Sequence, residues 1–416
     1  MKFDEILDGP LDATSKGIPG PVTPRAARTK GWNLLRDDLT YPVMVLRDSA
    51  VTHNLKAMGA WCAKNGFLLA PHGKTTMCPQ LFQRQLDAGA WAISVATAQQ
   101  AAVALRFGVE RLVIANQLTG RANVRLVAEG LERAEITCLA DSVAGVERLA
   151  ADLAGAKRPL RVLLEMGRPG WRTGARSFEE ARDVLAAIRR HPKVLEFAGF
   201  EGYEGISGMN EGALVAEYLA TLIGWTDRLA ADLPAPREPW LFSVGGTSFL
   251  DYQQEGLAPL RGRYRVAVRS GCHVTHDHGG YIRHRERAVA RGAGDAFPDF
   301  RQALELWSVV QSVRDGNTAI LTFGRRDCPH DQDFPVPLFA VAPGGTRRDA
   351  RPLDGAKTVK LNDQHAYVTL PPGVELKVGD RVACGICHPC TAFDKWPVIP
   401  LVDDADAVID LYRTYF

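Results

Sequence analysis

The chain has 416 residues, 46% of them apolar, with 50 lysines and arginines against 48 acids. That length exceeds one ordinary core and predicts two domains of roughly 100 to 200 residues, or a barrel of about 250 with a smaller companion. The near balance of charge excludes the basic footprint of a nucleic-acid or acidic-membrane binder and points to small-molecule partners.

The start, Met1-Lys2-Phe3-Asp4-Glu5, carries acids where a signal peptide needs a basic opening and an apolar run. No stretch approaches the roughly 18 continuous apolar residues of a membrane span. The expectation is a cytoplasmic protein with no membrane partner. Eight cysteines scattered along the chain fit a reducing compartment better than a disulfide scaffold.

From residue 41 short apolar runs alternate with helical periodicity. Pro42-Val43-Met44-Val45-Leu46 leads to Asp48 and a helix through Asn65, and Phe67-Leu68-Leu69-Ala70 leads to a loop and a helix from Pro79. The pattern recurs at Ala92–Val95, Leu112–Ala115, Ile136–Leu139, Leu160–Glu165, Val194–Phe200 and Trp240–Val244. Eight such units predict an α/β chain with a closed (β/α)8 TIM-like barrel, with a doubly wound open sheet as the alternative. After Val266-Ala267-Val268-Arg269 the texture turns to Gly, Pro and short runs such as Thr318–Leu321, Ala366–Leu370 and Arg381-Val382-Ala383, which predict an antiparallel β domain. The expected division is an N-terminal arm at 1–40, a barrel at 41–271 and a β domain at 272–416.

Barrel chemistry sits where strands end, so Pro71-His72-Gly73-Lys74-Thr75 is the first loop of interest. A lysine held there against apolar residues can form a Schiff base with a carbonyl; the alternative is a solvated loop lysine. The run Tyr41 to Asp48, followed by Leu69-Ala70-Pro71-His72-Gly73-Lys74-Thr75, resembles the alanine-racemase-like barrel enzymes that bind pyridoxal 5'-phosphate, and within them the D-serine dehydratase and D-threonine aldolase branch. By that resemblance Lys74 carries the cofactor. Leu164-Glu165-Met166-Gly167-Arg168-Pro169-Gly170-Trp171-Arg172-Thr173-Gly174 is similar to a family strand end, which places Arg172 near the cofactor's phenolic oxygen. Gly199 to Gly205 is similar to the next one, with Tyr203 bordering the cofactor. Arg172 as a surface residue and Tyr203 as core packing are the competing readings.

Phosphate needs unobstructed backbone N–H donors, which glycine-rich turns supply. Gly245, Gly246 and Thr247, after the last of the eight predicted strands, match the family's phosphate loop. Ser270-Gly271-Cys272 resembles a second such segment but departs from it at Cys272 and His273.

Near its C-terminus the chain reads Cys384-Gly385-Ile386-Cys387-His388-Pro389-Cys390-Thr391. A structural zinc site needs two ligand pairs, and these overlapping pairs share a sulfur. A redox pair is expected at a helix N-terminus, whereas this segment reads as a strand over Val382–Ile386. In an extended segment His388 and Cys390 point to one side and can converge on one ion, leaving open positions for chemistry; packing is the alternative. The resemblance implies zinc on this His-x-Cys pair. Relatives with His-x-Asp are aldolases using harder ions such as Mn2+ or Mg2+, so Cys390 favours dehydration. Cys384 and Cys387 are expected to pack in the strand.

Other polar residues receive weaker expectations. His276-Asp277-His278 reads as a solvated loop, with a metal pair as the alternative; Arg283–Phe300 reads as an added segment. No role is expected for Cys328, His330, Asp331 or Asp333, and His365 is expected in a turn. The resemblance implies a homodimeric enzyme that uses pyridoxal phosphate and zinc. Its expected reaction converts a D-β-hydroxy amino acid, such as D-serine, D-threonine or D-threo-3-hydroxyaspartate, to a 2-oxo acid and ammonia. The alternatives are retro-aldol cleavage to glycine and an aldehyde, and a non-catalytic pyridoxal-phosphate carrier.

Overall fold

A computed structural model describes residues 3–205, 207–208 and 210–416. Met1 and Lys2, at the head of the expected arm, lie outside the described residues. Eight parallel strands form one curled sheet in chain order: Leu68–Leu69, Ile93–Val95, Arg111–Gln117, Glu135–Ala140, Leu160–Glu165, Leu195–Gly202, Leu241–Val244 and Arg265–Val268. The last pairs with the first, and the first meets the second through Trp91 N–H to Leu69 O (2.7 Å) and Ser94 N–H to Pro71 O (2.9 Å), so the barrel closes.

The strands read as unbroken apolar runs because both faces are covered. In Leu160–Glu165, Leu163 points into the barrel with Leu139, Ala198, Leu241 and Ala267, while Val162 and Leu164 face the helical shell. Shell helices start at capping hydroxyls: Thr97, Ser142 and Ser177 accept from the N–H groups of Gln100, Gly145 and Glu180.

Two sequence-based expectations change here. Val43–Arg47 is not a barrel strand; it pairs antiparallel with Leu304–Arg314 and parallel with Val398–Val402 in the second sheet. Its alternate residues are buried on both sides, Val43 and Val45 against the N-terminal arm and Met44 and Leu46 in the β-domain core, which mimics the pattern of a barrel strand. Arg265–Val268 is the eighth barrel strand instead. The helix Asp48–Asn65 then spans both cores, with Leu55 in the second and Met58 and Trp61 in the first.

The segment Arg283–Phe300 is likewise no loose addition. Helix Gly280–Ala290 follows the eighth strand, and Ala288, Phe297 and Phe300 join the barrel core. Arg287 and Arg291 fix it by ion pairs of 2.7 and 2.8 Å to the buried Asp251. The second sheet runs in the order Arg351–Pro352, Val336–Val341, Arg381–Gly385, Leu304–Arg314, Val43–Arg47, Val398–Val402, Val408–Arg413, and Thr318–Leu321, Ala366–Thr369 and Lys357–Leu361 continue from Leu304–Arg314.

Gly199 sits at a bulge in the sixth barrel strand, where the register steps from Val162 opposite Phe197 to Leu163 opposite Gly199. Its φ is 142°, and a Cβ there would lie 1.9 Å from Leu241 O. Gly199→Ala is therefore expected to destabilise the fold by on the order of 3 kcal/mol, read as a lowered thermal midpoint; an unchanged midpoint would contradict this packing.

Candidate active site

The C-terminal ends of the barrel strands face the second domain, and the predicted site residues meet there. Lys74 lies half-buried in a 3-10 turn, Gly73–Thr75, after the first barrel strand. Gly73 must be small, since a Cβ would lie 2.7 Å from Phe82 and 2.9 Å from Ile93. His72 bridges to Ser94, and its Nδ1 is buried without a partner. Burial holds the His72 imidazole well below its ordinary range, reinforced by the positive charges of Lys74, Arg269 and Arg172. Three cations around a neutral ring form a setting for an anionic ligand.

Arg172 comes from the loop after the fifth strand and lies 5.1 Å over the ring of Tyr203, which follows the sixth. Burial and neighbouring Glu204 push the Tyr203 hydroxyl up to about 12, against the pull of Arg172, so it remains a proton donor. Gly245, Gly246 and Thr247 follow the seventh strand, not the last. The φ of Gly245 is 51°, and a Cβ there would strike Glu204 Oε1 at 2.1 Å. Thr247 Oγ1 lies 2.8 Å from Ser270 Oγ, which follows the eighth strand. At Gly271 a Cβ would sit 2.6 Å from His72 O. The loops after strands seven and eight thus form one small-residue cradle, a common phosphate position in such barrels. The phosphate, aldehyde and ring of pyridoxal phosphate fit this donor set of cradle, Lys74, Arg172 and Tyr203.

Sequence reasoning missed the charges beneath the cradle. Arg269 is buried at the end of the eighth strand, bonded to Glu201, Ser243 and Gly202 O. Burial pushes Glu201 up to about 8, while Arg269 pulls it down. Glu165 accepts from Thr173 Oγ1 (2.6 Å) and Gln117. Position at a barrel strand's C-terminal end was the available signal for Arg269.

Across the mouth stand His388 and Cys390. They do not share a strand: Arg381–Gly385 ends before them, and the 3-10 turn Pro389–Thr391 brings their side chains within hydrogen-bonding reach. A thiol hydrogen bond from Cys272, with His388 and Thr75 beside it, holds the Cys390 sulfur well below the ordinary thiol range against burial. Burial disfavours the charged His388 ring, yet Cys390 and Asp331 carry it up to about 9. Asp331 Oδ2 lies 2.6 Å from His388 Nδ1, and its Oδ1 accepts from Thr391 at 3.0 Å. Asp331, assigned no role by sequence, thus orients the imidazole as a metal ligand's partner does. One thiolate and one imidazole suit zinc and leave coordination positions free. Among the described residues no group of three His, Cys, Asp or Glu side chains is arranged to hold one ion.

His276-Asp277-His278 is not solvated. His276 and Asp277 are buried, and His276 Nε2, Asp277 Oδ2 and His278 Nδ1 lack partners. Asp277 Oδ1 accepts from the N–H groups of Gly279 and Tyr281, both at 3.0 Å, tying the loop to the helix it precedes. The second domain covers this loop: His278 donates its N–H to Ile386 O at 2.7 Å. Burial drives His273, His276 and His278 down to about 4. The unfolded chain takes up these protons near pH 6.5 and the folded chain only near 4, so acidification across that interval favours unfolding. Asp277, raised by burial to about 6, acts in the opposite direction and offsets part of the effect. His276→Gln is expected to lose less thermal stability than the wild-type protein between pH 7 and pH 5; equal changes in the two midpoints would contradict the assignment.

The remaining cysteines and histidines have structural places. Cys384 packs in the β-domain core, and Cys387 Sγ contacts Phe334 O at 3.2 Å. His365 O accepts from Asn362 N–H in a turn, His330 Nδ1 lies 3.4 Å from Cys328 O, and Asp333 pairs with Arg283 at 2.7 Å. Among the described residues no helix is long and apolar enough to cross a membrane.

A closed parallel barrel with a lysine at its mouth, joined to an antiparallel sheet, defines the alanine-racemase type of fold. The family described as "Alanine racemase, N-terminal domain" matches residues 47–249, and "Putative serine dehydratase domain" matches 303–402. D-threonine aldolase of Arthrobacter sp is 28% identical over 188 residues, which are 45% of this chain and 47% of that protein. The alignment thus spans about half of that relative's length. 3-Hydroxy-D-aspartate aldolase of Paracoccus denitrificans (strain Pd 1222) is 23% identical over 371 residues, 87% of this chain and 88% of that one. The crystal structure of D-threonine aldolase from Filomicrobium marinum superposes with a TM-score of 0.79 at 21% identity, covering 92% of this chain and 97% of that one. D-threo-3-hydroxyaspartate dehydratase from Delftia sp. HT23 gives 0.72 at 21%, covering 92% and 99%. Residues 47–249 and 303–402 thus match two families in succession, and the fold is of the alanine-racemase type.

Proposed function

We propose that the protein is a pyridoxal-phosphate- and zinc-dependent lyase that dehydrates a D-β-hydroxy amino acid to a 2-oxo acid and ammonia. The observation that carries this reading is the contact between Thr75 Oγ1, next to Lys74, and Cys390 Sγ at 3.4 Å. It sets the His-Cys pair beside the lysine from which chemistry would start.

Gly245, Gly246 and Thr247, with Ser270, would hold the cofactor phosphate, Arg172 its phenolic oxygen and Tyr203 its ring edge. Lys74 Nζ would hold the cofactor at its aldehyde carbon and, once free, would take the substrate's α-proton. When bound, pyridoxal phosphate delocalises the negative charge left at the α-carbon. His388 and Cys390 would hold zinc, which as a Lewis acid makes a β-hydroxyl a better leaving group. Loss of the α-proton and the β-hydroxyl amounts to loss of water. Hydrolysis of the released enamine then gives oxo acid and ammonia.

Retro-aldol cleavage to glycine and an aldehyde is the second reading, favoured by the aldolase relatives. The thiolate at position 390 speaks against it, because a carboxylate there would suit the harder ions expected of an aldolase. The test is oxo-acid release from D-serine, D-threonine and D-threo-3-hydroxyaspartate before and after chelation. The expected result is loss of activity on chelation and recovery with zinc; activity that survives complete metal removal would overturn the role given to His388 and Cys390.

A further inference from the structure

Cys272 has no part in that mechanism, yet its sulfur lies 3.2 Å from Cys390 Sγ. The two come from different domains, Cys272 from the loop after the eighth barrel strand and Cys390 from the turn that follows strand Arg381–Gly385 of the second sheet. Thr75 Oγ1 touches both, at 3.7 and 3.4 Å. Among the described cysteines Cys390 alone is partly open to solvent; the other seven, Cys272 included, are buried. The arrangement is therefore one reachable sulfur with a buried thiol directly behind it, the layout of an oxidant-accessible thiol and a resolving thiol. The sulfurs need only about 1.2 Å of approach to reach the roughly 2.0 Å of a disulfide.

We propose that Cys272 and Cys390 form a peroxide-sensitive dithiol, whose disulfide and a metal ion compete for the Cys390 sulfur. Cys390 would attack hydrogen peroxide, forming a sulfenic acid and releasing water. The Cys272 thiol would then displace hydroxide from that sulfur, and with its proton a second water leaves. Two thiols are oxidised and one peroxide is reduced, with two waters formed. The product ties the barrel mouth to the second domain and removes Cys390 as a metal donor, and a thiol reductant restores both sulfurs. The competition clause rests on the metal reading above; the disulfide does not.

The experiment treats the full-length protein with one equivalent of hydrogen peroxide, once after chelation and once zinc-loaded, followed by peptide mapping and thiol titration under denaturing conditions. The chelated protein is expected to yield a peptide linking 272 to 390, with titratable thiols falling from eight to six, reversed by dithiothreitol. Zinc loading should slow the link at least tenfold. In Cys272→Ser the link should be absent, and with a second equivalent of peroxide Cys390 should pass to a sulfinic acid that dithiothreitol does not reverse. Oxidation of chelated wild-type protein at Cys390 without a link to Cys272 would overturn the proposal and leave the metal reading intact. A link forming equally fast with zinc would overturn the competition, and with it Cys390 as a metal ligand.

Discussion

Lys74→Ala is expected to lower turnover by about 10³-fold or more, because one nitrogen is asked both to hold the cofactor and to move the α-proton. Reduction with borohydride followed by digestion should attach the cofactor's mass to the wild-type peptide containing residue 74 and to none from the variant. The cradle at Gly245–Thr247 and the Arg172 and Tyr203 pair are untouched by the change, so free cofactor should still bind, more weakly. The packing around Gly73 explains why the lysine cannot be replaced from the next position: its neighbour has room for no side chain between Phe82 and Ile93. A Lys74→Ala protein with full turnover would mean that another base serves the barrel mouth.

His388→Ala carries the second large effect. Loss of the imidazole removes one of the two donors assigned to the metal, and zinc affinity is expected to fall by more than the roughly 10- to 100-fold typical of losing a supporting partner. Asp331→Asn, which takes the negative charge off the partner of His388 Nδ1, should fall within that smaller range. Metal content after dialysis and oxo-acid release should drop together in both variants, with His388→Ala the more severe. A His388→Ala protein that retains stoichiometric zinc at wild-type affinity would place the ion elsewhere.

The barrel was legible because strands buried on both faces leave long apolar runs at regular spacing. The same property hid the frame: Val43–Leu46 is also covered on both faces, so the sequence count of eight included a strand of the other sheet and omitted Arg265–Val268. Lys74, Arg172, Tyr203 and the Gly245–Thr247 turn were legible as strand-end residues with family-like surroundings. The approach of His388 to Cys390 was expected from strand alternation and arises instead from a 3-10 turn. What stayed hidden is tertiary. Arg269 and Glu201 are 68 residues apart and Cys272 and Cys390 are 118 apart, and nothing local marks either as a pair. His276-Asp277-His278 reads as solvent-facing in sequence because its cover, at Ile386, comes from more than 100 residues away.

The dehydration claim is tested most directly by the products formed from D-threo-3-hydroxyaspartate by zinc-loaded enzyme. Oxaloacetate and ammonia in equal amounts, with no glycine, is the predicted result. Glycine and glyoxylate without ammonia would contradict it and assign the site to carbon–carbon cleavage.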